Sequence, residues 1–258
     1  MKRSVRYLIS TLTLAALVAV FLAICAGNSR KRSLLTCEGV RVSFADDYRF
    51  VTEEDVKGYL DKYYGAYIGQ RMDSIRLHEV ESILDMQSAI LKSEAYATDD
   101  GMLNISITQR EPVIRFQKDD LGFYADECGF IFPLQENYTS NVHIIDGNVP
   151  ISFREGFKGQ PVNEKEQQWM KGVLELLKCM DDSRTWSENI VQIHVESNGD
   201  LTLVPREGRE RFIFGPPVRI AGKFSLMDRY YRSVKPEVED NLYKTVTVKY
   251  EGQIICRK

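Results

Sequence analysis

The sequence is poor in histidine and in the residue spacings that hold metal ions. Its three histidines, His78, His143 and His194, are far apart, and none has a carboxylate or a cysteine at ligand spacing beside it. The segment "HEVES" at 78–82 approaches the zinc motif H-E-x-x-H, but Ser82 stands where the second histidine would be. The sequence therefore predicts no metal site.

The common catalytic motifs are also missing. The sequence has no G-x-S-x-G and no S-x-x-K, which are known settings of a serine nucleophile. "GPPVRIAGK" does not make a phosphate-binding loop, because six residues separate Gly215 from Gly222 and because Phe224 replaces the serine or threonine that would hold magnesium. The acidic doublets fall at predicted turns, where solvated carboxylates are common. We therefore predict no catalytic residues, no cofactor and a protein that is not an enzyme.

Neither an excess of positive charge nor a disulfide framework is present. The net charge is -3 over 258 residues and no basic run exceeds three, which argues against nucleic-acid binding. The five cysteines include no C-x-x-C pair, so their spacing defines no set of disulfides, and a periplasmic disulfide stays open. Cys25 falls in an apolar segment. Buried free thiols are expected at the other four, Cys37, Cys128, Cys179 and Cys256.

The sequence does contain one long apolar segment near its N-terminus. Residues 7–26 carry no charge, and a helix of this length, at about 1.5 Å per residue, spans the roughly 30 Å hydrocarbon core of a bilayer. Cleavage near Cys25 or its lipidation are alternatives, but the segment is long for a signal peptide and Ile24 disfavours a lipoprotein site. We predict a tail at 1–6, a single-pass transmembrane helix at 7–26 and a linker at 27–35.

Nearly equal numbers of positive charges flank this segment, so they do not decide its orientation. Lys2, Arg3 and Arg6 precede it, and the basic run 30–32 follows it. The tail is too short to form a domain, and most anchors with short tails send the large domain outward. We therefore expect the inner membrane as the location and the periplasm as the site of the large domain.

Residues 36–111 predict a β-α-α-β-β unit. Apolar residues alternate with polar ones over 36–44, as in a strand with one buried face. Thr52, followed by three acidic residues, is a good helix N-cap, and an apolar stripe of helical period covers 74–85. The turn at 99–101 then joins two strands in a hairpin. Such a unit has two helices to cover one face of a three-stranded sheet.

From Pro112 onward the pattern is dominated by short strands. One helix is predicted over about 163–180 and a second over about 222–234, and a hairpin that turns at 251–252 closes the chain. The predicted fold class is α+β: a transmembrane helix, a β-α-α-β-β domain at 36–111, and a mixed β-rich domain with two helices at 112–258.

Several segments, in this order behind an apolar helix, resemble one bacterial family. The first is "LNISITQREPVIRF", which contains Arg110, Glu111 and Pro112; others are "RFIFG" with a later Lys223, and the closing "YKTVTVKYEGQIICRK". The segment "GFYADECGFIFPL" carries an aromatic, acidic, glycine and proline pattern in Tyr124, Asp126, Gly129 and Pro133. Together they are similar to the FtsQ/DivIB cell-division proteins. Two departures from the family pattern stand out. The proline that many members carry before the second strand of their POTRA domain is absent at "LDMQSAI", and Lys249 replaces the usual arginine with no tryptophan after Tyr250.

The resemblance implies an architecture and a role. Residues 36–111 would form a POTRA domain and 112–258 a β domain, with Arg110, Glu111 and Pro112 as a stiff seam between them. The protein would be an essential divisome scaffold at the division septum that links early and late division proteins.

The resemblance also implies how partners are bound. FtsB- and FtsL-type proteins and other divisome components are the expected partners, and an FtsB-type segment would add as a strand to an edge near the C-terminus. Contacts are expected from Thr245, Thr247, Lys249, Tyr250, Tyr230 and Tyr231. Two alternatives stay open: another POTRA-type envelope-assembly protein, and an anchored cell-wall enzyme.

Overall fold

The computed structural model describes residues 14, 16–22, 35–238 and 242–258. The predicted tail at 1–6, most of the predicted helix at 7–26 and nearly all of the linker at 27–35 lie outside the described residues. The short stretch 16–22 is helical. Within the described ranges, no helix is both long and apolar enough to cross a membrane.

The chain divides into two compact units between Gln109 and Arg110. The first unit has the predicted β-α-α-β-β order, and its described strands form a sheet of order β1-β3-β2, in which β1 is parallel and β2 antiparallel to β3. Its elements are β1 (Gly39–Phe44), α1 (Glu53–Tyr63), α2 (Leu77–Asp85), β2 (Ile90–Ala97) and β3 (Met102–Gln109).

Local sequence signals explain both helices of this unit. The Asp55 N–H donates to Thr52 Oγ1 at 3.2 Å and the Thr52 N–H donates to Asp55 Oδ2 at 2.9 Å, so the predicted N-cap is confirmed as a capping box. The second helix begins later than predicted, because a 3-10 turn at Met72–Ser74 precedes α2. The two helices bury Val56, Leu60, Val80 and Leu84 against the sheet residues Leu103, Ile105 and Ile107.

Side chains from α2 cover the outer backbone of β2, an edge strand. Asp85 Oδ1 accepts the Ser93 N–H at 2.7 Å, and Glu81 Oε1 accepts the Ala95 N–H at 2.8 Å. An edge strand with exposed N–H groups is a template for pairing with another chain. These two carboxylates therefore close the β2 edge to strand addition.

The second unit is built on one large sheet. Its described strands number nine in the order β12-β11-β10-β9-β8-β7-β4-β5-β6, with parallel pairs β4–β7, β7–β8 and β10–β11. The strands are β4 (Pro112–Lys118), β5 (Leu121–Asp126), β6 (Ile131–Pro133), β7 (His143–Gly147), β8 (Ile190–Val195), β9 (Leu201–Pro205), β10 (Arg211–Gly215), β11 (Thr245–Thr247) and β12 (Ile255–Arg257).

Three α-helices accompany this sheet in the described part of the unit, α3 (Glu164–Asp181), α4 (Arg184–Asn189) and α5 (Ile220–Arg229). The prediction of two helices was therefore wrong, because α4 has six residues and is too short to show a helical period. A π-helical turn, Tyr230–Val234, continues α5. The core contains Val173, Leu176 and Met180 of α3 and Phe224 and Met227 of α5, together with Ile114, Phe116, Ile145, Ile193, Leu203, Phe212 and Val246.

The four described cysteines are free. Cys37 is buried as predicted, whereas Cys128 is exposed in the turn after β5 and the other two are half-buried. The prediction of buried thiols was thus wrong for Cys128, because the turn that carries it lies at the surface.

Candidate partner-binding edge

The C-terminal hairpin forms one end of the large sheet. Over Thr245–Thr247, β11 pairs with β10 on one side and with β12 on the other, so β11 lies one strand in from the end. The terminal strand is β12, whose register aligns Thr245 with Arg257 and Thr247 with Ile255. The edge expected near β11 is therefore β12, and Thr245 and Thr247 flank it.

Hydrogen bonds define which backbone groups of β12 are turned outward. The Lys244 N–H donates to the Arg257 carbonyl at 2.8 Å, so the backbone of Arg257 faces β11. Successive residues of a strand direct their N–H and C=O groups to opposite sides. The N–H and C=O of Cys256, which precedes Arg257, therefore point to the open side of the sheet.

The side chains of β11 alternate between the core and the opposite face. Val246 and Val248 have no exposed surface, whereas Thr245 and Thr247 are half-buried. Because residues in register share a face, Thr245 and Thr247 lie beside Arg257 and Ile255 of β12.

Lys249 and Tyr250 follow β11 and contact each other. Lys249 Nζ lies 3.0 Å from Asp200 Oδ2 and 5.2 Å from the ring centroid of Tyr250. The hydrogen bond to Asp200 raises the pKa of Lys249. Tyr250 is 48% exposed, so its ring is accessible to a partner.

The two tyrosines after α5 are placed differently. Tyr230 is only 3% exposed and its ring lies edge-on to Phe212 at 5.7 Å, so it is a core residue and cannot present its ring to a partner. Tyr231 is half-buried against Trp186 and Phe212. Burial raises the pKa of Tyr230 to about 12 and raises the pKa of Tyr231 as well. The helical stripe explains this placement, because Tyr230 continues the buried side of α5.

A groove of about 330 Å³ lies between α5 and the 248–252 segment. Its floor includes Leu226 and Val248, and its charged lining consists of Arg219, Lys223, Arg229, Lys249 and Glu251. Four of these five charges are positive. The groove therefore combines an apolar floor with a cationic rim.

Lys223 is the buried cation of this groove. Its side chain donates from Nζ to the Pro216 carbonyl at 2.6 Å and lies 4.7 Å from the ring centroid of Phe214. Burial, helped by the nearby charge of Arg219, lowers its pKa to about 8. Arg219 is held at the groove mouth by Glu251, with Nη1 at 3.0 Å from Oε2.

Comparison with protein-family models gives two matches, one within each of the two units. Residues 35–108 match a POTRA-like domain. Residues 111–257, which are more than half of the chain, match the model described as FtsQ/DivIB, C-terminal related. The chain belongs to the FtsQ/DivIB family. No curated protein sequence matches it.

Family membership suggests a role in cell division, and the FtsQ/DivIB family is one of non-enzymatic division proteins. Among the described residues, no group of three or more histidine, cysteine, aspartate or glutamate side chains is placed to hold a metal ion.

Side-chain contacts of Arg110 and Asp126 explain the segments around them that resemble the FtsQ/DivIB family. Arg110 Nη1 lies 2.8 Å from Asp126 Oδ2, and its guanidinium lies 3.6 Å from the ring centroid of Phe130. Asp126 also accepts the N–H groups of Cys128 and Phe130 at 3.0 and 2.9 Å. Gly129 closes this turn at a φ of 77°, which favours glycine. Pro112 is buried at the start of β4, and Glu111 is exposed.

The sequence did not predict two polar contacts between residues that are far apart in the chain. His194 Nδ1 lies 2.7 Å from Asp146 Oδ1 across the parallel pair β7–β8. The Gln109 side chain accepts the Val51 N–H at 2.9 Å and donates to the Tyr48 carbonyl at 2.6 Å. Neither contact has a local sequence signal, since the partners are far apart in the chain.

Proposed function

We propose that this chain is a divisome scaffold of the inner membrane, with its large domain in the periplasm at the division septum. In this role it links early and late division proteins by binding FtsB- and FtsL-type partners. A segment of the FtsB-type partner adds to β12 as a further strand of the large sheet. Membership of the FtsQ/DivIB family supports the division role.

One observation carries the strand-addition mechanism: the outward backbone groups of Cys256 on the terminal strand β12. Main-chain hydrogen bonds to an exposed edge give affinity, and side chains on alternate positions give specificity. By contrast, carboxylates of α2 cover the β2 edge of the first unit. The open edge thus lies beside the residues that the family resemblance assigns to partner contact.

The side chains beside this edge have distinct parts in the proposal. Tyr250 and Lys249 contact the partner directly, since Tyr250 is exposed and Lys249 lies against its ring. Thr245 and Thr247 support the adjacent face of β12. Tyr231 packs on Phe212 of the neighbouring strand β10, whereas Tyr230 acts only as a core residue.

A proline on the terminal strand tests the mechanism. Proline has no N–H, so Cys256→Pro in the full-length chain removes the outward donor while the ladder bonds of Arg257 to β11 stay available. We expect Cys256→Pro to lose capture of the FtsB-type protein of the same bacterium, while Cys256→Val, the matched control, retains it. Both variants must show the wild-type circular dichroism spectrum. Capture by a well-folded Cys256→Pro variant would disprove strand addition.

Depletion in the bacterium of origin tests the biological role. Filaments or chains without septa, seen with a membrane stain, are expected when the protein is depleted. Cells that divide normally but have a leaky envelope would instead favour an envelope-assembly role. Activity of the purified chain on peptidoglycan would favour a cell-wall enzyme.

A further inference from the structure

Two arginines stand in one row across the three strands at the end of the large sheet. Arg211 of β10 is in register with Thr245 of β11, which is in register with Arg257 of β12. The next row, Phe212 and Val246, is fully buried in the core. Because successive side chains of a strand alternate between faces, the two arginines project from the face opposite the core.

The cations of this row lack partners within the described part of the chain. Arg211, Arg257 and the neighbouring Lys244 are exposed, and no described carboxylate lies within ion-pair distance of them. Glu210 precedes Arg211 but is buried and pairs with Lys235 at 2.7 Å. Burial acts to raise the pKa of Glu210, yet the hydrogen bond and charge of Lys235 lower it overall. Glu210 is therefore already neutralised by Lys235.

Two residues away from this row, the same face carries apolar side chains on β10 and β12. Ile213, Thr247 and Ile255 are in register across β10, β11 and β12, and all three are half-buried. On the outer face of β12, the cationic side chain of Arg257 therefore alternates with the apolar side chain of Ile255.

We propose that the strand which adds to β12 carries a carboxylate opposite Arg257 and an apolar side chain two residues away, opposite Ile255. This inference rests on the proposed function and specifies the chemistry of the partner segment. Opposed side chains of adjacent strands have Cβ atoms about 5 Å apart, which places a partner Asp or Glu within reach of the Arg257 guanidinium.

Arg211 has a weaker part than Arg257. Arg211 lies on β10, which is three strand spacings of about 4.8 Å, or roughly 14 Å, from a strand added to β12. This distance exceeds the screening length of about 10 Å at 0.1 M salt, so Arg211 attracts the carboxylate only weakly. We therefore expect charge reversal to weaken partner binding strongly at Arg257 and only weakly at Arg211.

Charge reversal in the full-length chain tests this inference, with affinity for the FtsB-type protein of the same bacterium as the readout. We expect Arg257→Glu to weaken binding by about tenfold or more and Arg211→Glu by about twofold to threefold. Lys165→Glu, which reverses an exposed cation on α3 away from the edge, is the matched control and leaves affinity unchanged. Replacing the facing partner carboxylate by lysine restores binding to Arg257→Glu.

The outcomes separate this inference from the function on which it rests. If the wild-type chain does not bind the FtsB-type protein, the proposed function fails and the acidic strand fails with it. If wild-type binding is lost in Cys256→Pro but unchanged in Arg257→Glu, strand addition stands and the proposed carboxylate opposite Arg257 is wrong. Equal losses in Arg257→Glu and Lys165→Glu would also overturn the proposed carboxylate, since they would reflect net charge alone.

Discussion

Arg110 and Asp126 form a buried ion pair at the start of the second unit, with 2.8 Å between Nη1 and Oδ2. Their side chains are 13% and 8% exposed. Asp126 is also the acceptor that closes the 126–130 turn, and Arg110 stacks on Phe130 in that turn. One carboxylate thus fixes both the turn after β5 and the residue that leads into β4.

Removing Arg110 is therefore expected to destabilise the second unit. Arg110→Ala leaves Asp126 buried without its cation, which typically costs about 3 to 5 kcal/mol of unfolding free energy. The chain's two tryptophans, Trp169 and Trp186, both belong to this unit, so urea unfolding followed by tryptophan fluorescence measures it selectively. Arg184→Ala, which breaks the exposed pair with Glu188, is the control and should cost less than about 0.5 kcal/mol. Equal losses in both variants would contradict this reading.

We expect the contribution of Lys223 to the free energy of unfolding to rise with pH. Burial lowers its pKa to about 8, below its ordinary value of 10.5, so between these values the unfolded chain binds more protons at this site than the folded chain. Its contribution to the free energy of unfolding therefore increases as pH rises from about 8 to 10.5. Between pH 7.5 and 9.5 the increase is about 1 to 2 kcal/mol.

The comparison with Lys223→Met isolates this contribution. Cysteine and tyrosine groups also titrate in alkaline solution, so the quantity to measure is the difference in unfolding free energy between wild type and Lys223→Met at each pH. The wild type should gain on the variant as pH rises. A difference that is constant from pH 7.5 to 9.5 would show that Lys223 has an ordinary pKa. Lys165→Met serves as the exposed control.

Features set by neighbouring residues were predictable from the sequence. The capping box at Thr52 and the N-cap Asn163 of α3 are local, and the helical stripe of α3 spans five turns, so the type and limits of these helices were predicted well. The short helix α4 was missed, although it buries Trp186, whose Nε1 donates to Asp228 Oδ1 at 3.1 Å. A single buried tryptophan has no periodicity.

The order of the strands was not predictable in the same way. The parallel pairings of β4 with β7 and of β10 with β11 join segments separated by long connections, and turn residues carry no information about them. For this reason the family resemblance implied an edge near β11, but nothing in the sequence showed that β12 closes the sheet. Tyr230 continues the buried stripe of α5, so its burial had a local signal, but its expected partner contact was taken from the family resemblance.

Two helical glycines of the second unit are expected to respond oppositely to alanine. In helix propensity alone alanine is favoured over glycine by about 0.8 to 1 kcal/mol. At Gly172 of α3, however, a Cβ would lie 2.3 Å from the Pro217 carbonyl oxygen, whereas at Gly222 of α5 it would meet no atom within 4 Å. Gly172→Ala should therefore lower the unfolding free energy by about 1 to 3 kcal/mol, since backbone must move to admit the methyl group.

Gly222→Ala, by contrast, should leave the stability of the unit unchanged or raise it by up to about 1 kcal/mol. Both values come from the same tryptophan-monitored urea titration, so the opposite signs are compared within one experiment. If Gly172→Ala were as stable as Gly222→Ala, α3 could not lie against the 216–217 segment as closely as the structure places it. The close approach of α3 to Pro217 also holds the segment that leads from β10 into α5, and Gly172→Ala is therefore expected to disturb the groove beside Lys223.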